Sequence, residues 1–181
     1  MTATQVDDLS VQSDVGDAAG QYLTFMLAGE EYGVEILRVQ EIKGWDSATP
    51  IPNTPDHVLG VLNLRGAVVP IIDLRKRFAL ESVPYGPTTV VIVIRTVSDG
   101  HDRTVGLVVD AVSEVYKLEN GEIQPPPEMG SGIRTEFIRG LATVDEKMLI
   151  LLEVDALISF DDFEESAETA SSESAPDTQD A

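Results

Sequence analysis

The segment GVLNLRGAVVPIIDL, residues 60–74, is almost wholly apolar and holds a single cation, Arg65. Alternation of side chains places Leu62 and Leu64 on one face of a strand, with Arg65 on the other face at its end. Gly66 then makes a tight turn, and a second strand returns. The segment therefore predicts a β-hairpin with an arginine at its corner. Such an arginine is either a solvated turn residue or a guanidinium that holds a carboxylate bidentately and stays ready for a partner.

Apolar segments with the same two-residue period recur along the chain, separated by turns that contain Gly or Pro. Besides the hairpin above, they are QYLTFMLAGEEYGV (21–34), TTVVIVIRTV (88–97), RTVGLVVDAV (103–112), FIRGLATV (137–144) and KMLILLE (147–153). Strands at such close intervals are typical of small antiparallel barrels rather than of a βαβ sheet. We therefore expect an all-β fold with two barrels of similar size.

Three short helices are expected between the strands. In 35–44, Ile36, Val39 and Ile42 stand at three-residue steps before Gly44, a pattern that favours a helix. NTPDHV, residues 53–58, favours a single helical turn with proline at its first position. DALISF, residues 155–160, begins with an acid in the N-cap position and predicts a last short helix.

Charge and composition exclude several classes of function. The chain has 181 residues, a net charge of −20 and no cysteine. The segments 1–20 and 161–181 are acidic and poor in large hydrophobic residues, and we expect them to be disordered tails. Such a chain repels nucleic acid and anionic membrane surfaces. Because no apolar segment is long enough to span a bilayer and the N-terminus lacks a signal peptide, a cytoplasmic location is expected.

Converging reactive groups of the kind that enzymes need are not evident in the sequence. His57 and His101 lack partners at the spacing of a metal site, and no phosphate-binding or nucleophile motif is present. Asp73 and Asp110 each end an apolar segment, where an aspartate usually caps a turn or pairs with a base such as Arg75. A hydrolase or a small-molecule-binding barrel that uses these two carboxylates remains the alternative. The sequence favours a binding protein without catalysis, cofactor or metal.

A set of motifs gives a more specific interpretation. In order, they are GEEYGVEILRVQEIKG, NTP, GVLNLRGAVVPIIDLR, GLVVDAVSEV, a Pro-rich loop and FIRGLA, and together the sequence resembles the CheW family over 21–160. The resemblance implies two SH3-like, five-stranded antiparallel β-barrel subdomains around separate cores, with a groove between them. We expect their bounds at 21–78 and 79–153, with a C-terminal helix, 155–160, packing back.

The resemblance also implies a function and its residues. The protein would be a non-catalytic adaptor that couples the cytoplasmic tips of chemoreceptors to the regulatory domain of the histidine kinase CheA, at receptor arrays on the inner membrane. Glu41 and Arg65 would pair near the receptor groove. The full receptor-binding set is Val39, Glu41, Gly60, Asn63 and Arg65, and the kinase-binding set is Gln124, Glu128 and Met129. Gln124 and Met129 depart from the family, where a basic and an aromatic residue are common.

Overall fold

Ten strands form two five-stranded sheets in the computed structural model, which describes residues 20–127 and 135–157. The strands are β1 (Gln21–Leu27), β2 (Glu30–Glu35), β3 (Val39–Gly44), β4 (Val58–Leu64), β5 (Ala67–Asp73), β6 (Val90–Ser98), β7 (His101–Val109), β8 (Ala111–Lys117), β9 (Ile138–Val144) and β10 (Lys147–Leu152). Helix α1 spans Leu74–Arg77 and α2 spans Val154–Leu157, and 3-10 turns span Ile36–Arg38, Asn120–Glu122 and Thr135–Phe137. The predicted all-β class is confirmed.

The two sheets have the same internal plan. The order is β8-β1-β2-β10-β9 in the first sheet and β3-β6-β7-β5-β4 in the second. In each, one pair is parallel, β2 with β10 and β5 with β7, and the remaining pairs are antiparallel. The expectation of wholly antiparallel barrels is therefore wrong at one pairing in each sheet.

The predicted division of the chain at residues 78 and 79 is also wrong. Strands β3 to β7 all belong to the second sheet, whereas the first sheet takes β1 and β2 from the start of the chain and β8 to β10 from its end. A strand pattern in the sequence does not reveal which distant strands will pair, because register and partner depend on tertiary packing.

The helix predicted for 35–44 is wrong as well. A 3-10 turn at Ile36–Arg38 is followed by β3, in which Val39 pairs with Ile94 and Glu41 with Val93. The register shift between these two pairs is a β-bulge, which inserts one extra residue and moves the apolar positions from two-residue to three-residue steps. This insertion explains why the sequence resembled a helix.

The other two helical predictions also need adjustment. Residues 53–58 contain turns and the first residue of β4 instead of a helical turn. Helix α2 begins one residue earlier than expected, at Val154, and is described as far as Leu157. The remainder of the predicted helix, the tail 161–181 and residues 1–19 lie outside the described residues.

One isolated bridge closes each sheet into a barrel. Thr49, which follows β3, exchanges two backbone hydrogen bonds of 2.9 Å with Val61 of β4. Gln124, which follows β8, exchanges two of 2.8 Å with Leu141 of β9. We call these closures the second and the first seam, after their sheets. Both seams join the first and last strands of a sheet and so remove its exposed edges.

A glycine permits the close approach at each seam. Gly60 has a φ of +140°, and a Cβ atom there would overlap the Thr49 carbonyl. A Cβ on Gly140 would lie 2.9 Å from the Gln124 carbonyl oxygen and 2.5 Å from Cγ2 of Ile123. Both glycines also lie at β-bulges, where the register shifts between β4 and β5 and between β9 and β10. Because a Cβ atom at Gly60 would meet only backbone atoms, closure of the second barrel requires glycine at this position.

The core has three parts. Each barrel has a small interior cluster, around Leu149 and Leu151 in the first and around Ile71 and Val91 in the second. The third and largest cluster lies between the sheets and contains side chains from both, including Phe25 and Ile92. The expectation of separate cores is therefore incomplete, because a shared core joins the barrels.

Candidate functional site

The predicted pair of Glu41 and Arg65 is present across the second seam. Glu41 lies on β3 and Arg65 is the first residue of the turn between β4 and β5, and Nη2 of Arg65 is 3.3 Å from Oε2 of Glu41. Arg65 and Gly66 have φ angles of +54° and +86°, as in a type I′ turn. The backbone N–H of Gly66 donates to Oδ1 of Asn63 at 3.0 Å, which fixes the turn. Barrel closure therefore brings the two charges together from distant strands.

The geometry of this pair leaves most of the guanidinium free to solvent. The Arg65 side chain is 87% exposed, whereas that of Glu41 is 29% exposed. The closest N–O approach of the two groups is 3.3 Å, without the paired hydrogen bonds that join Arg75 to Asp110, so the expected bidentate grip is wrong. A pair of this kind contributes about 0–1 kcal/mol to the free energy of unfolding. The arrangement holds a cation at the surface rather than stabilising the fold.

The other predicted receptor-binding residues differ in their exposure. Val39 is half-buried and packs against the shared core, and Asn63 is exposed beside the turn. Gly60 is buried at the second seam. Of the predicted set, Val39, Glu41, Asn63 and Arg65 thus have accessible surface, and Gly60 is buried against Thr49.

The predicted kinase-binding residues are only partly described. Gln124 is exposed and closes the first seam through its backbone, so its side chain is available at the surface. Glu128 and Met129 lie outside the described residues. Of this set, Gln124 therefore lies at the seam of the first barrel, whereas Arg65 lies at the seam of the second barrel.

The two aspartates of the alternative hydrolase reading are occupied by structural contacts. Asp73 is 4% exposed and caps α1, where Oδ1 accepts from the backbone N–H of Arg75 at 2.9 Å and Oδ2 from the Tyr85 hydroxyl at 2.5 Å. Asp110 receives Nε of Arg75 at 2.7 Å and Nη2 at 2.5 Å. All four carboxylate oxygens are thus engaged, as expected for a cap and an ion pair.

The electrostatics of this second contact support a structural role. Hydrogen bonds from Arg75 hold the pKa of Asp110 below its ordinary value, although partial burial opposes the shift. The same contact raises the pKa of the Arg75 guanidinium. Asp110 therefore stays ionised at neutral pH, which is unsuitable for a general acid.

A second bidentate ion pair was not predicted from the sequence. Arg38, the last residue of the 3-10 turn before β3, donates through Nη1 and Nη2 to the two carboxylate oxygens of Asp155 at 3.1 and 2.9 Å. The residues are far apart in the chain, so no local signal in the sequence indicates that they pair. Its geometry resembles that of the Arg75–Asp110 pair, but the charges are exchanged. Here the arginine precedes a strand and the aspartate lies in a short helix, whereas Asp110 precedes β8 and Arg75 lies in α1.

The described residues contain no features of a metal site or of a membrane-spanning helix. Within residues 20–127 and 135–157, no group of three or more His, Asp or Glu side chains is arranged to hold a metal ion. No helix in the same part of the chain is long and apolar enough to cross a bilayer.

Comparison with known proteins identifies the family. A family model described as the CheW-like domain matches residues 21–162, which include both barrels and both seams. The chain belongs to the CheW family. Chemotaxis protein CheW of Klebsiella aerogenes is 48% identical over 151 residues, which cover 83% of this chain and 89% of that protein. Probable chemotaxis protein CheW of Rhizobium etli is 41% identical and covers 77% and 87%.

A solved structure of a CheW protein supports the same fold. The scaffolding protein TtCheW from Thermoanaerobacter tengcongensis superposes with a TM-score of 0.70 at 36% identity, and the match covers 77% of this chain and 88% of the other. Members of the CheW family with these names act in chemotaxis, and TtCheW is named a scaffolding protein. The predicted family and its two-sheet architecture are therefore confirmed.

Proposed function

We propose that this protein is a non-catalytic adaptor that couples the cytoplasmic tips of chemoreceptors to the histidine kinase CheA. The observation that carries the proposal is the second seam, where Arg65 presents an exposed cation that pairs with Glu41 of β3. The engagement of Asp73 and Asp110 in structural contacts argues against the hydrolase alternative.

The receptor side of the proposal follows from the chemistry of the second seam. A helical receptor tip offers an apolar face, which Val39 can contact, and helix-in-groove recognition of this kind uses apolar anchors with charges at the rim. The Arg65 guanidinium can hold a carboxylate of the partner bidentately, because its side chain stays 87% exposed beside Glu41. Glu41 then orients the arginine before the receptor binds.

The kinase side of the proposal rests on the family resemblance and on the place of Gln124. We assign the contact with the CheA regulatory domain to Gln124, Glu128 and Met129, and the exposed position of Gln124 at the first seam is consistent with a partner there. The two partners would then occupy different barrels, which allows one adaptor to hold both at once. Binding to both partners would recruit the protein to receptor arrays at the inner membrane.

Simultaneous binding is the test of this function. Purified full-length protein, a receptor cytoplasmic fragment and a CheA regulatory domain should form a three-component complex in size-exclusion chromatography. Glu128→Lys should weaken binding of the kinase domain and leave the affinity for the receptor fragment unchanged. Mutually exclusive binding of the two partners, or no binding of either, would contradict the adaptor function.

A further inference from the structure

We propose that the Arg38–Asp155 ion pair is a clamp that positions β3 for receptor binding, which makes Arg38 and Asp155 positioning residues. This inference rests on the proposed function, because β3 carries Val39 and Glu41. Arg38 directly precedes Val39 in the chain, so its side chain fixes the point at which the strand begins.

The clamp has several converging contacts. Besides the two hydrogen bonds from Arg38, Asp155 accepts from the backbone N–H of Val97 at 2.8 Å. On the other side of Arg38, Glu35 lies 3.9 Å from its Nε and also forms an ion pair with Arg139. Alternating charges thus connect β9, the end of β2, the 3-10 turn and α2. The side chains of Arg38 and Asp155 are only 27% and 30% exposed, so water screens them less than the Arg65 pair.

Strand β3 needs such a clamp because its own backbone holds it weakly at this end. It is a terminal strand of the second sheet and pairs with β6 alone, while the seam contact with β4 comes later, at Thr49. A β-bulge between Val39 and Glu41 also interrupts the ladder there. The start of β3 is therefore held by β6, by packing of Ile36 against the shared core and by the clamp.

The fold contains a matched counterpart of the clamp. Asp110 directly precedes β8, the terminal strand of the first sheet, and is held by Arg75 at the start of α1. Asp110 also accepts a backbone N–H, from Ala28, as Asp155 does from Val97. Strand β8 leads to Gln124, so this counterpart should position the kinase side instead. The chain thus supplies its own control for the effect of losing a clamp.

A double-mutant cycle on receptor affinity tests the proposal. We expect Arg38→Ala and Asp155→Ala each to weaken binding of a receptor cytoplasmic fragment by about fivefold to tenfold. The loss in the double variant should be clearly smaller than the product of the two single losses, because both substitutions remove the Arg38–Asp155 contact, although Asp155 also accepts from Val97 and Arg38 also pairs with Glu35. Affinity for the CheA regulatory domain should stay within about twofold of the wild type. Arg38→Lys, which retains the charge without the bidentate geometry, should give an intermediate loss.

The control and the contradicting outcomes separate this inference from the proposed function. Asp110→Ala should give the opposite pattern, with a loss of kinase-domain affinity and retained receptor affinity. Additive losses at Arg38 and Asp155 would mean that each contacts the receptor itself, which overturns the clamp. Wild-type receptor affinity in folded Arg38→Ala, alongside a loss in Arg65→Ala, would also overturn it. If Arg65→Ala likewise retained full affinity, the proposed receptor surface itself would be wrong.

Discussion

The hairpins β4–β5 and β9–β10 have one backbone plan and different chemistry. Each begins near a bulged glycine, turns through two residues with positive φ, and leads into a one-turn helix. The turn is Arg65-Gly66 in the second barrel and Asp145-Glu146 in the first. Even the exposed apolar residue of the returning strand recurs, as Val68 and Met148.

The difference between the hairpins separates what the fold requires from what binding requires. Glycines at the seams recur because barrel closure demands a close backbone approach in both halves. The charge at the turn is reversed, from Arg65 to Asp145, although either residue satisfies the backbone. We infer that the turn charge was not set by folding and that the second seam, where Arg65 meets Glu41, is the specialised one.

The largest effects on the free energy of unfolding are expected from alanine substitutions of the two seam glycines, Gly60 and Gly140. Gly60→Ala combines overlap with the Thr49 carbonyl and an unfavourable φ, and should lower the free energy of unfolding by about 3–5 kcal/mol. Gly140→Ala meets a movable Ile123 side chain as well as backbone and should cost about 1–3 kcal/mol. Urea denaturation measures both.

A third glycine provides the control for these two. Gly44 has open space around its Cβ position, so Gly44→Ala should change the free energy of unfolding by less than about 0.5 kcal/mol. Equal losses at Gly44 and Gly60 would refute the role of glycine in closing the seam.

A smaller effect on stability should appear when acid breaks the ion pair between Arg75 and Asp110. The pKa of Asp110 is lowered in the folded state, so its ion pair stabilises the protein above the unfolded pKa and the contribution disappears as the pH falls through the folded pKa. The stability advantage of the wild type over Asp110→Asn should therefore begin to shrink as the pH falls below about 5 and should go on shrinking as the pH falls through the lowered folded pKa. Thermal unfolding of both proteins across this range measures it, and a constant difference would contradict the assignment.

The smallest effect is expected at the turns. Glu146 has a φ of +66° where the other hairpin has Gly66, so Glu146→Gly should raise the free energy of unfolding by about 0.5–1 kcal/mol. The reciprocal Gly66→Glu should lower it by a similar amount. Urea denaturation of the pair would sharpen the comparison, and shifts of the same sign in both variants would show that the two turns are not equivalent.

The sequence was informative where the cause of a structure is local. The period of two in GVLNLRGAVVPIIDL predicts the hairpin and the turn at Arg65, and an aspartate after a strand predicts the cap at Asp73. It misled where a bulge changed the period, as at Val39 to Ile42. Interleaving of the two sheets and the Arg38–Asp155 pair depend on contacts between distant segments, which no local pattern encodes.

The candidate site divides in the same way. Pairing of Glu41 with Arg65 was expected from the family resemblance and is present, but the high exposure of Arg65 comes from the geometry of the seam. Gly60 belonged to the predicted surface, yet its burial against Thr49 could be recognised only once the barrel was closed.

We expect Arg65 to bind the receptor and to contribute little to the stability of the fold. The measurement is calorimetric affinity of Arg65→Ala for a receptor cytoplasmic fragment, together with its melting temperature and the same pair of values for Asp145→Ala. We expect at least about a tenfold loss of affinity for Arg65→Ala, since truncating a hot-spot arginine of an interface often costs more than 1 kcal/mol. We also expect a melting temperature close to that of the wild type, and full affinity in Asp145→Ala. Unchanged affinity in a folded Arg65→Ala protein would contradict the account.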